Sequence, residues 1–124
     1  MTSPLQIDYV EFPATDLNAV QAFYEQVFGW EFTDCGPDYK AFADGRLNGG
    51  FFSSSEKSQT QSGGALIVLY AADLAAVCAA VTASGGQISK DIFSFPGGRR
   101  FQFLDPHGNE LAVWSDQGLE TPSE

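Results

Sequence analysis

Apolar and polar residues alternate in several short runs of the chain, which is the pattern of half-buried β-strands. Two longer runs repeat their apolar residues every three or four positions instead, which predicts amphipathic helices. These helices are predicted to begin after Asp16 and Asp73, whose carboxylates can accept the free N–H groups of a first helical turn. The predicted strands are residues 6–13, 30–33, 39–43, 50–53, 65–70, 87–89 or 87–93, 99–104 and 110–115.

The order strand, helix, three strands occurs twice along the chain. Residues 16–22 and 73–79 also share five of seven residues, which indicates an internal repeat. We therefore predict one α+β domain, residues 1–124, made of two βαβββ modules at about 5–55 and 64–116. A polar, non-periodic linker at 54–63 joins them. Each half-sheet cannot close alone, so we expect incomplete barrels of mixed β-sheet with the helices outside.

Sixteen acidic and six basic residues give the chain a net charge of −10. This charge argues against nucleic acid and anionic membrane surfaces as partners, since both need clustered basic residues. Only Arg99 and Arg100 are adjacent, and on a strand they point to opposite faces. Two widely spaced cysteines and no secretion signal or membrane span favour a cytoplasmic protein. The acidic charge is also compatible with a pocket that prefers cationic ligands.

Three segments of the chain resemble a known family. They are IDYVEF at residues 7–12 followed by Asp16-Leu17, AFYEQVFGW at 22–30, and LDPHGNELAVW at 104–114. These segments resemble the vicinal oxygen chelate superfamily, which includes glyoxalase I, bleomycin and fosfomycin resistance proteins and extradiol dioxygenases. The resemblance covers about residues 5–116. It implies paired βαβββ modules, a cavity in each incomplete barrel and, commonly, a homodimer.

Active members of that superfamily hold a divalent metal inside the barrel with His and Glu or Gln. There the metal polarises vicinal oxygens of a substrate. The corresponding positions in this sequence are Tyr9, Leu66, Ala112 and residues 48–51, and none supplies a convincing ligand. A phenol such as Tyr9 is a poor ligand for a divalent metal at neutral pH. We therefore expect this chain to have the fold of the family without its metal site, and to bind no cofactor.

The cavity wall is expected to come from alternate residues of the strands. Tyr9 and Glu11 share one face of the first strand, and Glu110, Ala112 and Trp114 share one face of the last. The lone histidine of the chain lies in the Asp-Pro-His-Gly turn and is predicted to be exposed. The full predicted wall is Tyr9, Glu11, Phe51, Leu66, Val68, Tyr70, Phe101, Phe103, Glu110, Ala112 and Trp114.

Four functions remain open at this point. The favoured one is a metal-free protein that binds a small aromatic or cationic molecule, as antibiotic-sequestering members of the family do. The second is a metal-dependent lyase, isomerase or dioxygenase with ligands from a shifted register or a partner chain. The third is metal-free acid–base catalysis by Glu11, Tyr9 or Glu110. The fourth is a regulatory or structural dimer with a filled cavity. If Glu11 and Glu110 converge, they could also hold a hard cation weakly.

Overall fold

The structure is a computed structural model that describes residues 5–117, and it contains two successive βαβββ modules. Residues Thr60–Ser62 form a single 3-10 turn between the modules, which the polar pattern of the linker does not predict. The first module has β1 Tyr9–Ala14, α1 Leu17–Phe28, β2 Glu31–Asp34, β3 Tyr39–Ala43 and β4 Asn48–Ser53. The second has β5 Ile67–Tyr70, α2 Leu74–Ala83, β6 Gln87–Phe95, β7 Gly98–Leu104 and β8 Glu110–Ser115.

The two modules have the same sheet topology. The strand orders are β1-β4-β3-β2 and β5-β8-β7-β6, with one parallel pair in each sheet and antiparallel pairs elsewhere. One helix packs on one face of each sheet. Within residues 5–117 the two sheets remain separate and no barrel closes. The predicted α+β class, with two modules of mixed sheet, is confirmed.

The helix starts are confirmed in detail. The side chain of Asp16 accepts the Ala19 N–H at 3.0 Å, and that of Asp73 accepts the Ala76 N–H at 3.1 Å. Each bond satisfies a first-turn donor, which stabilises a helix by about 1 kcal/mol. Helix α1 ends at Gly29, whose φ of 71° lies in the left-handed region that glycine adopts without strain.

Strand β1 begins three residues later than predicted. Its first residue, Tyr9, pairs with Asn48, the first residue of β4, so residues 6–8 have no opposing strand. Ile7 is accordingly exposed rather than part of the sheet. Strand β6 runs on to Phe95, two residues beyond the longer of its predicted bounds, because Phe95 pairs with Gly98. In the described part of the chain, no helix is long and apolar enough to cross a membrane.

Helix α1 joins both modules in one hydrophobic core. The ring of Phe23 lies 5.9 Å from that of Phe103 in the second sheet. The neighbouring ring of Tyr24 lies 5.4 Å from that of Phe51 in the first sheet. All four rings are almost completely buried, and burying a large side chain of this kind stabilises the fold by about 1.5–3 kcal/mol.

The turn between β7 and β8 is a second connection between the modules. The buried carboxylate of Asp105 accepts the Tyr24 hydroxyl at 3.0 Å and the Asn109 side-chain amide at 3.2 Å. The fully buried Asn109 also donates to the Pro13 carbonyl at 2.8 Å and accepts the Ser58 N–H at 3.0 Å. Burial raises the pKa of Asp105, although hydrogen bonds from Asn109, Tyr24 and Gly108 act in the opposite direction.

His107 lies in the same turn, and its predicted exposure is wrong. It is half-buried, and its Nδ1 accepts the Thr15 N–H at 3.1 Å. Its Nε2 lies 2.7 Å from the Glu56 carbonyl oxygen. Because Nδ1 accepts a hydrogen bond, we assign the ring proton to Nε2, which donates to Glu56. The histidine therefore links the β1–α1 connection and the linker to the turn between β7 and β8.

Candidate functional site

Each sheet has an open side, which faces away from its helix, and this side carries most of the predicted cavity wall. Three of its large side chains are exposed: Tyr9 by 44%, Val68 by 42% and Tyr70 by 51%. The strand register places Val68 beside Ala112 and Tyr70 beside Trp114. The rings of Tyr70 and Trp114 lie 5.2 Å apart in an edge-to-face arrangement. The structure therefore brings Val68, Tyr70, Ala112 and Trp114 together on the second sheet.

Three predicted wall residues lie on the opposite, helix-facing side instead. Phe51 pairs with Phe12 of β1, and Phe101 pairs with Val113 of β8. Phe51, Phe101 and Phe103 are all completely buried in the core. The prediction that these three side chains line the cavity is therefore wrong. A difference of one residue along a strand moves a side chain to the other face of the sheet.

The neighbours of these three residues occupy the open side. Phe52 pairs with Tyr39 and is half-buried, and Gln102 pairs with Ala112. Leu66 immediately precedes β5 and is half-buried, so it extends the sheet edge rather than forming part of a strand. Arg100 pairs with Trp114 on the open side, whereas Arg99 pairs with Ser115 on the other side.

Arg100 gives the open side of the second sheet a basic group within aromatic surroundings. Its guanidinium lies 5.3 Å from the ring centre of Phe93, and its Nη2 donates to the Gln102 side-chain oxygen at 3.2 Å. A cation over an aromatic face is stabilised by the ring quadrupole. The Lys90 ammonium lies 5.7 Å from the centre of the same ring. Two cations therefore already adjoin Phe93, and this part of the open side suits neutral or anionic groups.

Tyr9, Glu11 and Tyr39 form a hydrogen-bonded cluster on the open side of the first sheet. The Tyr39 hydroxyl donates to Glu11 Oε2 at 2.8 Å, and the Tyr9 and Tyr39 hydroxyl oxygens lie 2.6 Å apart. Tyr39 has one proton, which Glu11 accepts, so Tyr9 donates to the Tyr39 oxygen. Burial raises the pKa of Tyr39, and its hydrogen bonds to Tyr9 and Glu11 raise it further.

Tyr39 is not among the residues predicted for the cavity wall. Its side chain reaches Glu11 by crossing Gly50, the residue that pairs with Glu11 in the register of β1 and β4. A Cβ atom on Gly50 would overlap the Tyr39 hydroxyl and ring. The paired glycines at 49 and 50 are the available sequence signal, since glycine within a strand often marks such a close approach.

Glu110 has a different environment from Glu11. Its carboxylate accepts the Thr60 N–H at 3.0 Å, the Thr60 hydroxyl at 2.7 Å, the Gln102 amide at 2.9 Å and the Ser89 hydroxyl at 3.2 Å. Partial burial would raise the pKa of Glu110, but these hydrogen bonds together lower it below its usual value. The two donors of Thr60 attach the linker to the second sheet, and all four donors together occupy the carboxylate.

The residues present do not fit the family's metal site. The Tyr9 hydroxyl donates to Tyr39, Ala112 and Leu66 have no donor atom, and Glu110 is occupied by four hydrogen bonds. Glu11 and Glu110 share no hydrogen-bond partner. Across residues 5–117, no three His, Cys, Asp or Glu side chains lie close enough to hold a metal ion.

A cavity of about 270 Å³ adjoins the open side of the second sheet beside Glu110, Ser89 and Thr60. Two others are lined by the exposed tyrosines. One, of about 360 Å³, lies between the modules, and this volume suits a small organic ligand. A second, of about 250 Å³, lies against the first sheet beside Tyr9, Thr33 and Asn48. A larger polar cleft of about 650 Å³ near the start of α1 contains none of the predicted wall residues. The cavity between the modules is lined by Phe28, Trp30, Asp44, Arg46, Val68, Leu69, Tyr70 and Trp114.

The fold and the open-sided sheets define a paired βαβββ protein with a small-molecule-sized cavity. The family model of the Glyoxalase/Bleomycin resistance protein/Dioxygenase superfamily matches residues 6–113. This chain belongs to that superfamily, as the sequence resemblance predicts. A glyoxylase-like domain-containing protein of Didymella fabae is 31% identical over an alignment of 129 positions, which covers 91% of this chain and 95% of that protein.

Solved structures show the same fold. A lactoylglutathione lyase of Agrobacterium tumefaciens is 26% identical with a TM-score of 0.69, covering 92% of this chain and 96% of that one. A glyoxalase-related enzyme of Fulvimarina pelagi has a TM-score of 0.75 at 17% identity, covering 90% and 88%. A fosfomycin resistance protein of Listeria monocytogenes has a TM-score of 0.75 at 17% identity, covering 93% and 94%.

Proposed function

We propose that this protein binds a small aromatic or cationic organic molecule on the open sides of its sheets, without a metal ion. The observation that carries the proposal is the aromatic surface of the open sides, with Tyr9 at one of the family's ligand places on the first sheet and Tyr70 beside Trp114 on the second. Such side chains combine a large apolar face with a polar tip, which suits contact with a small ligand. The ligand places themselves hold Tyr9, Leu66 and Ala112.

Stacking on these rings would supply most of the binding free energy. Each 100 Å² of apolar surface removed from water contributes about 2.5 kcal/mol before the costs of association are subtracted. A fosfomycin resistance protein among the structural relatives offers an analogy for a small-molecule role on this fold. Nucleic acid and membranes are not proposed as partners, because the net charge of −10 would repel their anionic surfaces.

We also propose a homodimer in the cytoplasm. In a single chain Tyr9, Val68 and Tyr70 remain exposed on the open sides, and a second copy that covers them would enclose the ligand. Sedimentation velocity over a range of protein concentrations tests this proposal. A dimer is expected at micromolar concentration, and a monomer throughout that range would contradict it.

Tryptophan fluorescence tests ligand binding directly. Trp114 is half-buried on the open side, whereas Trp30 is buried and stacks on Tyr24 at 4.5 Å and Phe42 at 4.4 Å. Titration with a library of aromatic amines, alcohols and acids is expected to give a saturable signal in at least one case. Trp114→Phe should reduce that signal while calorimetry still detects binding, and Trp30, which also lines the cavity between the modules, accounts for any signal that remains. No response in either assay would contradict the proposal.

Metal-free acid–base catalysis is the second candidate, and only Glu11 has a geometry that favours it. One carboxylate oxygen of Glu11 accepts the Tyr39 hydroxyl, and the exposed side chain leaves the other oxygen able to take a proton. Glu110 is a poorer base because four donors stabilise its charged form. Under this candidate, Glu11→Gln abolishes turnover of any substrate found while binding of neutral aromatic ligands persists.

A further inference from the structure

We infer that Tyr9, Tyr39 and Glu11 form a binding site for the protonated amino group of an organic amine. This inference rests on the proposed function and names the chemical class of the ligand. It places the charged end of the ligand on the open side of the first sheet.

The direction of the hydrogen bonds is the first argument. Tyr9 donates to Tyr39, and Tyr39 donates to Glu11, so both hydroxyl protons point inward along the cluster. What remains on the outside is a lone pair on the Tyr9 oxygen and the second oxygen of Glu11. These atoms only accept hydrogen bonds. A ligand that offers N–H donors can pair with them, whereas a carboxylate or carbonyl oxygen cannot.

The packing around Tyr39 is the second argument, because it fixes this polarity. The Tyr39 hydroxyl lies over Gly50, where any larger residue would displace it. Burial and the two hydrogen bonds keep Tyr39 protonated, so its donor continues to point at Glu11. Tyr9 therefore cannot turn its proton outward without losing its 2.6 Å contact with Tyr39.

The surrounding charges are the third argument. The cavity of about 250 Å³ beside Tyr9 is also lined by Glu31, and it has no basic residue in its wall. The nearest lysine along β3, Lys40, lies on the helix-facing side and pairs with Asp34 at 3.9 Å. Arg100 lies on the second sheet. An ammonium group at Glu11 therefore meets the Glu11 carboxylate and the aromatic side chains of Tyr9 and Tyr39, which stabilise a cation. Glu31 adds negative charge to the wall of the neighbouring cavity.

Calorimetry with three ligands of one shape tests the inference. We choose 2-phenylethylamine, 2-phenylethanol and 3-phenylpropanoate, at pH 7 and low ionic strength. The amine is expected to bind about tenfold more tightly than the alcohol, the size of one hydrogen bond to a charged group, and the acid more weakly still. Equal binding of all three would overturn this inference and leave the proposed function standing. No binding of any of them at millimolar concentration would overturn both.

Two matched variants assign the effect to the cluster. Glu11→Gln keeps the shape of the side chain and is expected to remove most of the tenfold preference for the amine. Tyr39→Phe keeps the ring but frees the Tyr9 proton, which should lower amine affinity and raise alcohol affinity, each about threefold or more. Circular dichroism checks that both variants fold. An unchanged preference in folded Glu11→Gln protein would overturn the inference.

Discussion

Glu11 and Glu110 are both carboxylates on the open sides of the sheets, yet their surroundings differ. Glu11 is exposed and accepts one hydrogen bond, from Tyr39. Glu110 accepts four, two of them from Thr60 in the linker. Both residues are glutamates on a β-strand, so their different roles come from their different hydrogen-bond partners. The first carboxylate is available to a ligand, and the second holds the linker against the sheet.

The two sides of the first sheet also differ, in how deeply they bury their side chains. Phe51 is completely buried against α1 and β1, whereas its neighbour Phe52 is half-buried on the open side. We expect Phe51→Ala to lower the free energy of unfolding by about 3–5 kcal/mol, because it leaves a cavity in the core. Phe52→Ala should cost about 1 kcal/mol. Urea denaturation measures both, and equal losses would contradict the assigned faces.

The side chain of Asn109 connects the second module to the first module and to the linker. Asn109→Ala leaves the Pro13 carbonyl and the Ser58 N–H without their partner in a buried site. We expect a loss of about 2–4 kcal/mol in the free energy of unfolding, since each unpaired buried group costs about 1–3 kcal/mol. Asn109→Asp retains the acceptor for Ser58 but loses the donor to Pro13 and places a second carboxyl group beside Asp105, so we expect a loss at least as large. A loss below about 1 kcal/mol would argue against this connection.

The two carboxylates can be compared directly by truncation. Glu110→Ala leaves three residues without an acceptor, and we expect it to cost about 2 kcal/mol of unfolding free energy. Glu11→Ala should change that free energy by less than about 0.5 kcal/mol, as exposed sites usually do. Thermal or urea unfolding tests this pair. Similar losses in both variants would remove the distinction drawn between them.

Glu110 should also make the free energy of unfolding depend on pH, by a smaller amount than the substitutions above. The pKa of Glu110 is lower in the folded protein than its usual value, so the folded state favours the ionised carboxylate. Its contribution is present above the unfolded pKa of about 4.3 and is lost as the pH falls through the folded value. The stability difference between wild type and Glu110→Gln should therefore shrink between about pH 5 and 3. A constant difference over that range would contradict the role of Glu110.

Much of the fold follows from local signals in the sequence. Asp16 and Asp73 mark both helix starts, and the alternation in β1 and β8 places Tyr9 and Trp114 on the correct side. The alternation of polar and apolar residues cannot assign side chains to a face where two adjacent residues are both apolar. In β4, Phe51 and Phe52 are equally plausible core residues, and only the pairing with β1 and β3 separates them.

The candidate site depends on contacts that a linear pattern does not contain. Tyr39 and Glu11 are 28 positions apart and meet diagonally across Gly50. Thr60 lies in a polar segment without periodicity, yet it provides two of the four donors to Glu110. His107 likewise reaches Thr15, 92 positions away. Such partners are determined by the tertiary packing of the two modules.

Ligand binding by metal-depleted protein tests the central claim most directly. The protein is treated with a chelator, dialysed and titrated with an aromatic amine by calorimetry. The titration is repeated after addition of Zn²⁺, Ni²⁺ or Mn²⁺. We expect saturable binding before metal is added, with a Kd that changes by less than about twofold afterwards, within about 0.4 kcal/mol. Binding that occurs only after a metal is added would contradict metal-free recognition.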